Sequence, residues 1–251
     1  MSSAASILRS QIETALEKRI PGALSVRPIL TPETLSTGIK ELENRSVGIP
    51  RGGVTEICGL PSSGRTTLMF SLIREVTQRG EYCALIDTSS AFNPSSADAN
   101  GVNLKRLLCV QCTEPHPKLN PLEKALQATD WLINAGGFTL ILLDLADLPL
   151  ATAQKIPMPW WYRFRNAVAS TSAAFVVLEQ HPFAKSCASL VITMQARDSE
   201  WLPRLRQTQN PRLLTGFHFI ADVTRSRRTV PERKPQARAG TEFRVATSWA
   251  G

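Results

Sequence analysis

An α/β fold is what this sequence predicts: a mixed, mostly parallel twisted sheet flanked by helices, with an N-terminal helix and an antiparallel β edge. Three observations carry that expectation. Val54 to Arg79 reads as an apolar strand, a turn of small residues and an amphipathic helix. Two later apolar runs, ending on Asp87 and Asp144, alternate with helical stretches, as parallel strands joined by crossovers do. From Leu190 onward the strand-like runs have no clear helix between them, which suits an antiparallel edge.

The first of these stretches organises the rest. A strand ends at Cys58, and Gly59, Leu60, Pro61, Ser62, Ser63 and Gly64 form the turn. A helix begins near Arg65 and continues through Thr66 and Thr67. Backbone N–H groups in such a turn point into one concavity, and the helix adds unpaired donors and the positive end of its dipole. Glycines 59 and 64 supply backbone angles that a Cβ resists. Thr66 stands where phosphate-binding loops put a hydroxyl on Mg²⁺. That motif calls for Lys at the position of Arg65. Lys is a compact point charge and Arg a longer planar fork, so the exchange permits binding more readily than fast hydrolysis.

The chain has 251 residues, which suits one α/β domain with small additions. Hydrophobic residues make up 43%, enough for a core, and the net charge of +8 fits an anionic partner such as nucleic acid or an acidic protein face. Five cysteines, with no signal peptide in view, predict a reduced, cytoplasmic setting. Asp144 and Asp147 interrupt the longest apolar run, so no membrane association is expected.

In chain order, a helix is expected over about 4–19, with Ile7, Ile12, Leu16 and Ile20 near one face and Pro21-Gly22 as its stop. It would dock on its own domain or on a second copy, giving self-association. Short helices are expected near Pro32–Leu35 and Ile39–Leu42. Residues 1–47 thus form a helix and linker, and 48–251 the core domain.

Tyr82 to Asp87 is a buried strand, with Asp87 on the edge where open α/β sheets bind ligands. Leu107 to Val110 is a strand, Leu122 to Asn134 a helix, and Phe138 to Asp144 a strand. An Asp ending such a strand holds Mg²⁺ through water in nucleoside triphosphatases. Residues 149–159 read as a Pro-rich loop. In the helix from Trp160, side chains 160, 164 and 168 are spaced as a buried stripe. Its interleaved Arg163 and Arg165 also suit base stacking and phosphate contact. Glu179 and Gln180 follow the strand 173–178 on the ligand edge. Strands at 190–195, 217–224 and 241–247 complete the sheet, with a basic segment including Arg225, Arg227 and Arg228 before the last. Cys109 and Cys112 have CxxC spacing near His116, yet no second pair accompanies them, so a metal site is not expected.

From Gly48 the sequence resembles the bacterial RecA recombinase family. GIPRGGVTEICGLPSSGRTT at 48–67, GEYCALIDTSSAFNP at 80–94, NLKRLLCVQ at 103–111, LILLDLADL at 140–148 and FVVLEQ at 175–180 carry the likeness. It implies a RecA-like P-loop core with ATP at subunit interfaces. Gly59 to Thr67 would cradle the phosphates, Thr66 and Asp144 would hold Mg²⁺, and Gln180 would sense the γ-phosphate. Arg225 and Arg227 would reach a neighbouring subunit's nucleotide. The family keeps a Glu two residues beyond the strand-end Asp, and here that residue is Ser89. Losing a general base is worth roughly 10²–10⁴ in rate, and Ser takes no proton at neutral pH. The family's two mobile DNA-binding loops look shortened, and its C-terminal domain is expected to be missing.

This pattern of departures resembles the ImuA (SulA-like) relatives of RecA. That likeness implies an accessory role in damage-induced translesion synthesis beside an ImuB-type polymerase homologue. Two other functions stay open: a DNA-dependent ATPase recombinase on single-stranded DNA, and a regulator of RecA filaments.

Overall fold

A computed structural model of the protein describes residues 33–113, 119–202, 214–226 and 240–246, all within the unit Pro32–Gly251. The expected N-terminal helix, His116, Arg227 and Arg228 lie outside the described residues.

The described elements are β1 (Thr34–Leu35), α1 (Lys40–Asn44), β2 (Ile49–Pro50), β3 (Val54–Cys58), α2 (Arg65–Gln78), β4 (Cys83–Asp87), α3 (Pro94–Ala99) and β5 (Leu107–Gln111). They continue with α4 (Pro121–Ala135), β6 (Leu140–Asp144), α5 (Leu150–Ala153), α6 (Met158–Ala169) and β7 (Ala174–Glu179). The last are β8 (Ala188–Trp201), β9 (Leu214–Ser226) and β10 (Thr241–Ala246). The main sheet runs β10-β9-β8-β3-β7-β6-β4-β5, while β1 and β2 pair on their own. β5, β4, β6, β7, β3 and β8 are mutually parallel; β9 and β10 close the sheet antiparallel.

Alternation within each strand separates two apolar layers. Ile57, Leu85, Leu142 and Val176 point to the side covered by Leu68, Leu72 and Val76 of α2. Ala84, Ile86, Leu143, Phe175 and Val177 point to the opposite side, under Leu126 and Ile133 of α4 and Trp161, Phe164 and Val168 of α6. Sequence signals explain why α4 starts where it does. The Asn120 side chain accepts from the Glu123 N–H, Glu123 reaches back to the Asn120 N–H, and Pro121 supplies a preset φ. Arg163 then clamps α6 to α4 with two parallel bonds of 2.5 Å to the Asp130 carboxylate.

Three expectations are corrected. The helix expected near 32–35 is a strand at Thr34–Leu35, because Ile49–Pro50 offers it an extended partner that the local sequence does not reveal. The Pro-rich stretch 149–159 contains a helical turn, since Pro149 and Pro157 sit just ahead of helices rather than inside them. The buried stripe of α6 is Trp161, Phe164 and Val168; Trp160 is only partly covered and lies under the Arg163 guanidinium.

Candidate functional site

The candidate site forms at the C-terminal end of β3, which is fully buried between β7 and β8. The Gly59 N–H donates to the Glu179 carbonyl at 3.2 Å, so the turn departs from the sheet beside β7. A Cβ on Gly59 would stand 2.5 Å from both the Met194 carbonyl oxygen and the Ser63 Oγ, which leaves room only for glycine. Ser62 (φ 63°) and Gly64 (φ 92°) take left-handed backbone angles that fold the turn back onto the helix. Leu60, Pro61 and Ser62 are exposed at its tip.

No side chain caps α2 at Gly64, whereas Asn93 and Asn120 cap α3 and α4. Its first N–H groups therefore face the concavity without a side-chain acceptor. Two side-chain atoms there are also buried without a partner: Ser63 Oγ and Arg65 Nη1. Both residues are more than nine-tenths buried, at 4% and 6% exposure. Leaving such donors unpaired costs roughly 1–3 kcal/mol each. A phosphate would satisfy them, so the residues present fit a nucleotide. Thr66 is exposed at the rim and Thr67 half-buried, open to a Mg²⁺ ion carried in by that nucleotide.

Burial pushes the Arg65 guanidinium below its usual range, while the charges of Asp144, Asp147, Cys58 and Glu179 pull it back up. Burial likewise pushes the Asp144 carboxyl up to about 6, against the 2.9 Å bond that Oδ1 accepts from the Ala146 N–H. The cradle thus holds one buried cation, with two strand-end or turn carboxylates near it.

The RecA N-terminal domain family matches residues 7–153 of the 251. The chain belongs to the RecA family. Protein RecA of Rickettsia canadensis (strain McKiel) is 37% identical over 137 residues, 54% of this chain and 38% of that protein. Protein RecA of Rickettsia bellii (strain RML369-C) is 38% identical over 137 residues, 54% of this chain and 38% of that protein. Protein RecA of Wigglesworthia glossinidia brevipalpis is 38% identical over 114 residues, 45% of this chain and 32% of that protein. The chain therefore spans under half the length of these RecA relatives.

Within this RecA-family chain the other expected residues are placed as follows. Asp87 is almost wholly buried, and its carboxylate accepts from the N–H groups of Ser89, Ala91 and Phe92 at 3.1, 3.3 and 2.9 Å. It holds the turn after β4 in shape. Thr88 Oγ1 ties that turn to the Asp144 carbonyl at 2.6 Å. The Gln180 amide donates to the carbonyls of Ala146 (3.1 Å) and Leu148 (3.5 Å), so it brackets the turn after β6. Arg225 bonds to the Lys185 carbonyl on its own subunit.

Two features have no local mark in the sequence. Asp147 Oδ2 lies 3.5 Å from Ser89 Oγ, beside the position where the family's Glu is replaced. The pairing depends on β4 and β6 lying side by side in register, Asp87 opposite Asp144, which no local pattern displays. The second feature is a carboxyl pair beneath the cradle. Glu56 and Glu179 are both 0% exposed. Glu56 Oε1 accepts from the N–H groups of Phe183 (2.7 Å) and Ala184 (2.5 Å). Burial, and then the neighbouring Glu56, push Glu179 well above the usual carboxyl range. The facing register Glu56↔Val177 and Cys58↔Glu179 of two parallel strands makes this meeting, and sequence alone does not show strand neighbours.

Burial also raises the Cys109 thiol to about 11 and the Cys112 thiol above its usual value. Among the described residues no group of three or more His, Cys, Asp or Glu is placed to hold a metal ion, and no helix is long and apolar enough to cross a membrane.

Proposed function

We propose that this RecA-family chain is a nucleotide-binding accessory protein of DNA repair and damage tolerance, with slow ATP turnover. The observation that carries the binding part is the uncapped start of α2, with Ser63 Oγ and Arg65 Nη1 buried and unpartnered beside it. ATP would lie along residues 59–67, with its Mg²⁺ at Thr66 and Asp144. When bound, that ion neutralises charge on the phosphates. Gln180 would report the triphosphate to the turn it brackets, and Arg225 and Arg227 would reach a neighbouring subunit's nucleotide. The N-terminal helix of the 1–47 segment would serve self-association, and 48–251 would be the core.

The accessory role is supported by Ser89 in the place of the family's Glu, and by the short connection from β7 to β8, residues 180–187. The resemblance to the ImuA group points to an ImuB-type polymerase homologue or RecA itself as partner, and to translesion synthesis as the setting. Direct binding of single-stranded DNA is the competing function, and the +8 net charge favours it. Fluorescence anisotropy with a labelled single strand, in the presence of Mg²⁺ and ATP, separates the two. Weak, salt-sensitive binding without ATPase stimulation supports the accessory role. Tight binding that accelerates turnover manyfold supports a recombinase.

A further inference from the structure

The turn after β6 carries a carboxylate that the reading above does not use. Asp147 is exposed, so water reaches it. Its Oδ2 is 3.5 Å from Ser89 Oγ, on the neighbouring strand end where the family's Glu would start. Its charge acts on Arg65 and on Asp144 together, so it stands within the electrostatic reach of both ends of the cradle. The turn is fixed from two sides. Asp144 Oδ1 accepts from the Ala146 N–H at 2.9 Å, and the Gln180 amide bonds the carbonyls on either side of Asp147. An exposed side chain on a turn tied at both shoulders is an economical way to hold a carboxylate in place.

We propose that Asp147 is the general base of this site, supplied from β6 in place of the missing carboxylate after β4, and that Gln180 is its positioning residue. The inference rests on the nucleotide-binding reading above. In the reaction, Asp147 takes a proton from water as the water oxygen forms its bond to the γ-phosphorus. The bond from that phosphorus to the β–γ bridging oxygen breaks, and the electron pair leaves with ADP. The proton passes from Asp147 to solvent, and inorganic phosphate departs. Ser89 gives the base a hydrogen-bond donor and takes no proton itself. A base placed from the adjacent strand, with a 3.5 Å contact at its back, gives turnover slower than the family pattern but above background.

The test uses the full chain with Asp147→Asn, with Ser89→Glu in that background, and with Arg65→Ala as the binding-site control. Mg·ATP and Mg·ADP affinities are read by calorimetry, and phosphate release in single-turnover and steady-state assays. Asp147→Asn is expected to bind Mg·ATP as tightly as wild type or tighter, because a negative charge near the phosphates is removed. Its turnover is expected to fall roughly 10²-fold or more. Ser89→Glu is expected to recover much of that loss. Equal turnover in wild type and Asp147→Asn overturns the proposal. So does wild-type turnover no higher than that of Arg65→Ala, which leaves nucleotide binding standing. Absence of Mg·ATP and Mg·ADP binding overturns the nucleotide reading and this inference with it.

Discussion

The ring of Phe219 on β9 lies against Gly64 so closely that a Cβ at 64 would stand 2.7 Å from it. The last third of the chain thus sets the shape of the turn at 59–64, although β8 lies between β9 and β3 in the sheet. Phe219 in turn packs on Phe217 and Phe243, with ring centroids 6.0 and 5.7 Å away, so β10 supports the contact.

Gly64→Ala meets two penalties at one position: a left-handed φ of 92° and the Phe219 ring. The strain is on the order of 1–3 kcal/mol. Thermal unfolding followed by circular dichroism should show a lower Tm, and Mg·ATP binding should weaken. Gly136→Ala, also at positive φ but with open space around it, should cost less.

Glu179 supplies a pH test. Its folded-state carboxyl is raised by burial and by Glu56, so the folded protein holds a proton that the unfolded chain releases near its ordinary value of about 4.3. The stability linked to that proton is full below the unfolded value and is lost as pH rises through the folded one. Glu56 on β3, Cys58 at its end and Arg65 on α2 are the groups that share its surroundings. Glu179→Gln keeps the neutral, donating form. Its Tm should exceed that of wild type by a margin that grows from pH 5 to pH 8, since the other titrating groups cancel in the difference. A constant margin would place the proton elsewhere.

The stripe on α6 gives a prediction about packing. Trp161 is 1% exposed and meets Phe164 edge-on at 6.3 Å, while Trp131 on α4 is 69% exposed. Trp161→Ala should cost roughly 3–5 kcal/mol. Trp131→Ala should stay within about 0.5 kcal/mol of wild type. Urea titrations of both variants check the contrast.

Much of the sheet was legible because its strands are continuous apolar runs that end on Asp87, Asp144 and Glu179, as strands buried on both faces do. The turn at 59–64 was legible because two glycines and a helix start occur at fixed spacing. Lateral relationships were not. Which strand lies beside which decides that Glu56 meets Glu179 and that Ser89 meets Asp147, and sequence carries no local mark of either. The offset between Trp160 and Trp161 was hidden for a different reason. Both tryptophans are apolar enough for the buried face, and only the way α6 packs on the sheet and on α4 selects Trp161.

Arg65 decides the central claim, because it is the buried cation of the cradle and its Nη1 has no partner. The most direct measurement is a calorimetric titration of Mg·ATP into wild type, Arg65→Lys and Arg65→Ala. Saturable one-site binding is expected for wild type, retained or strengthened in Arg65→Lys and weakened at least tenfold in Arg65→Ala. Equal affinities in wild type and Arg65→Ala, or no binding heat in any of the three, would contradict the account.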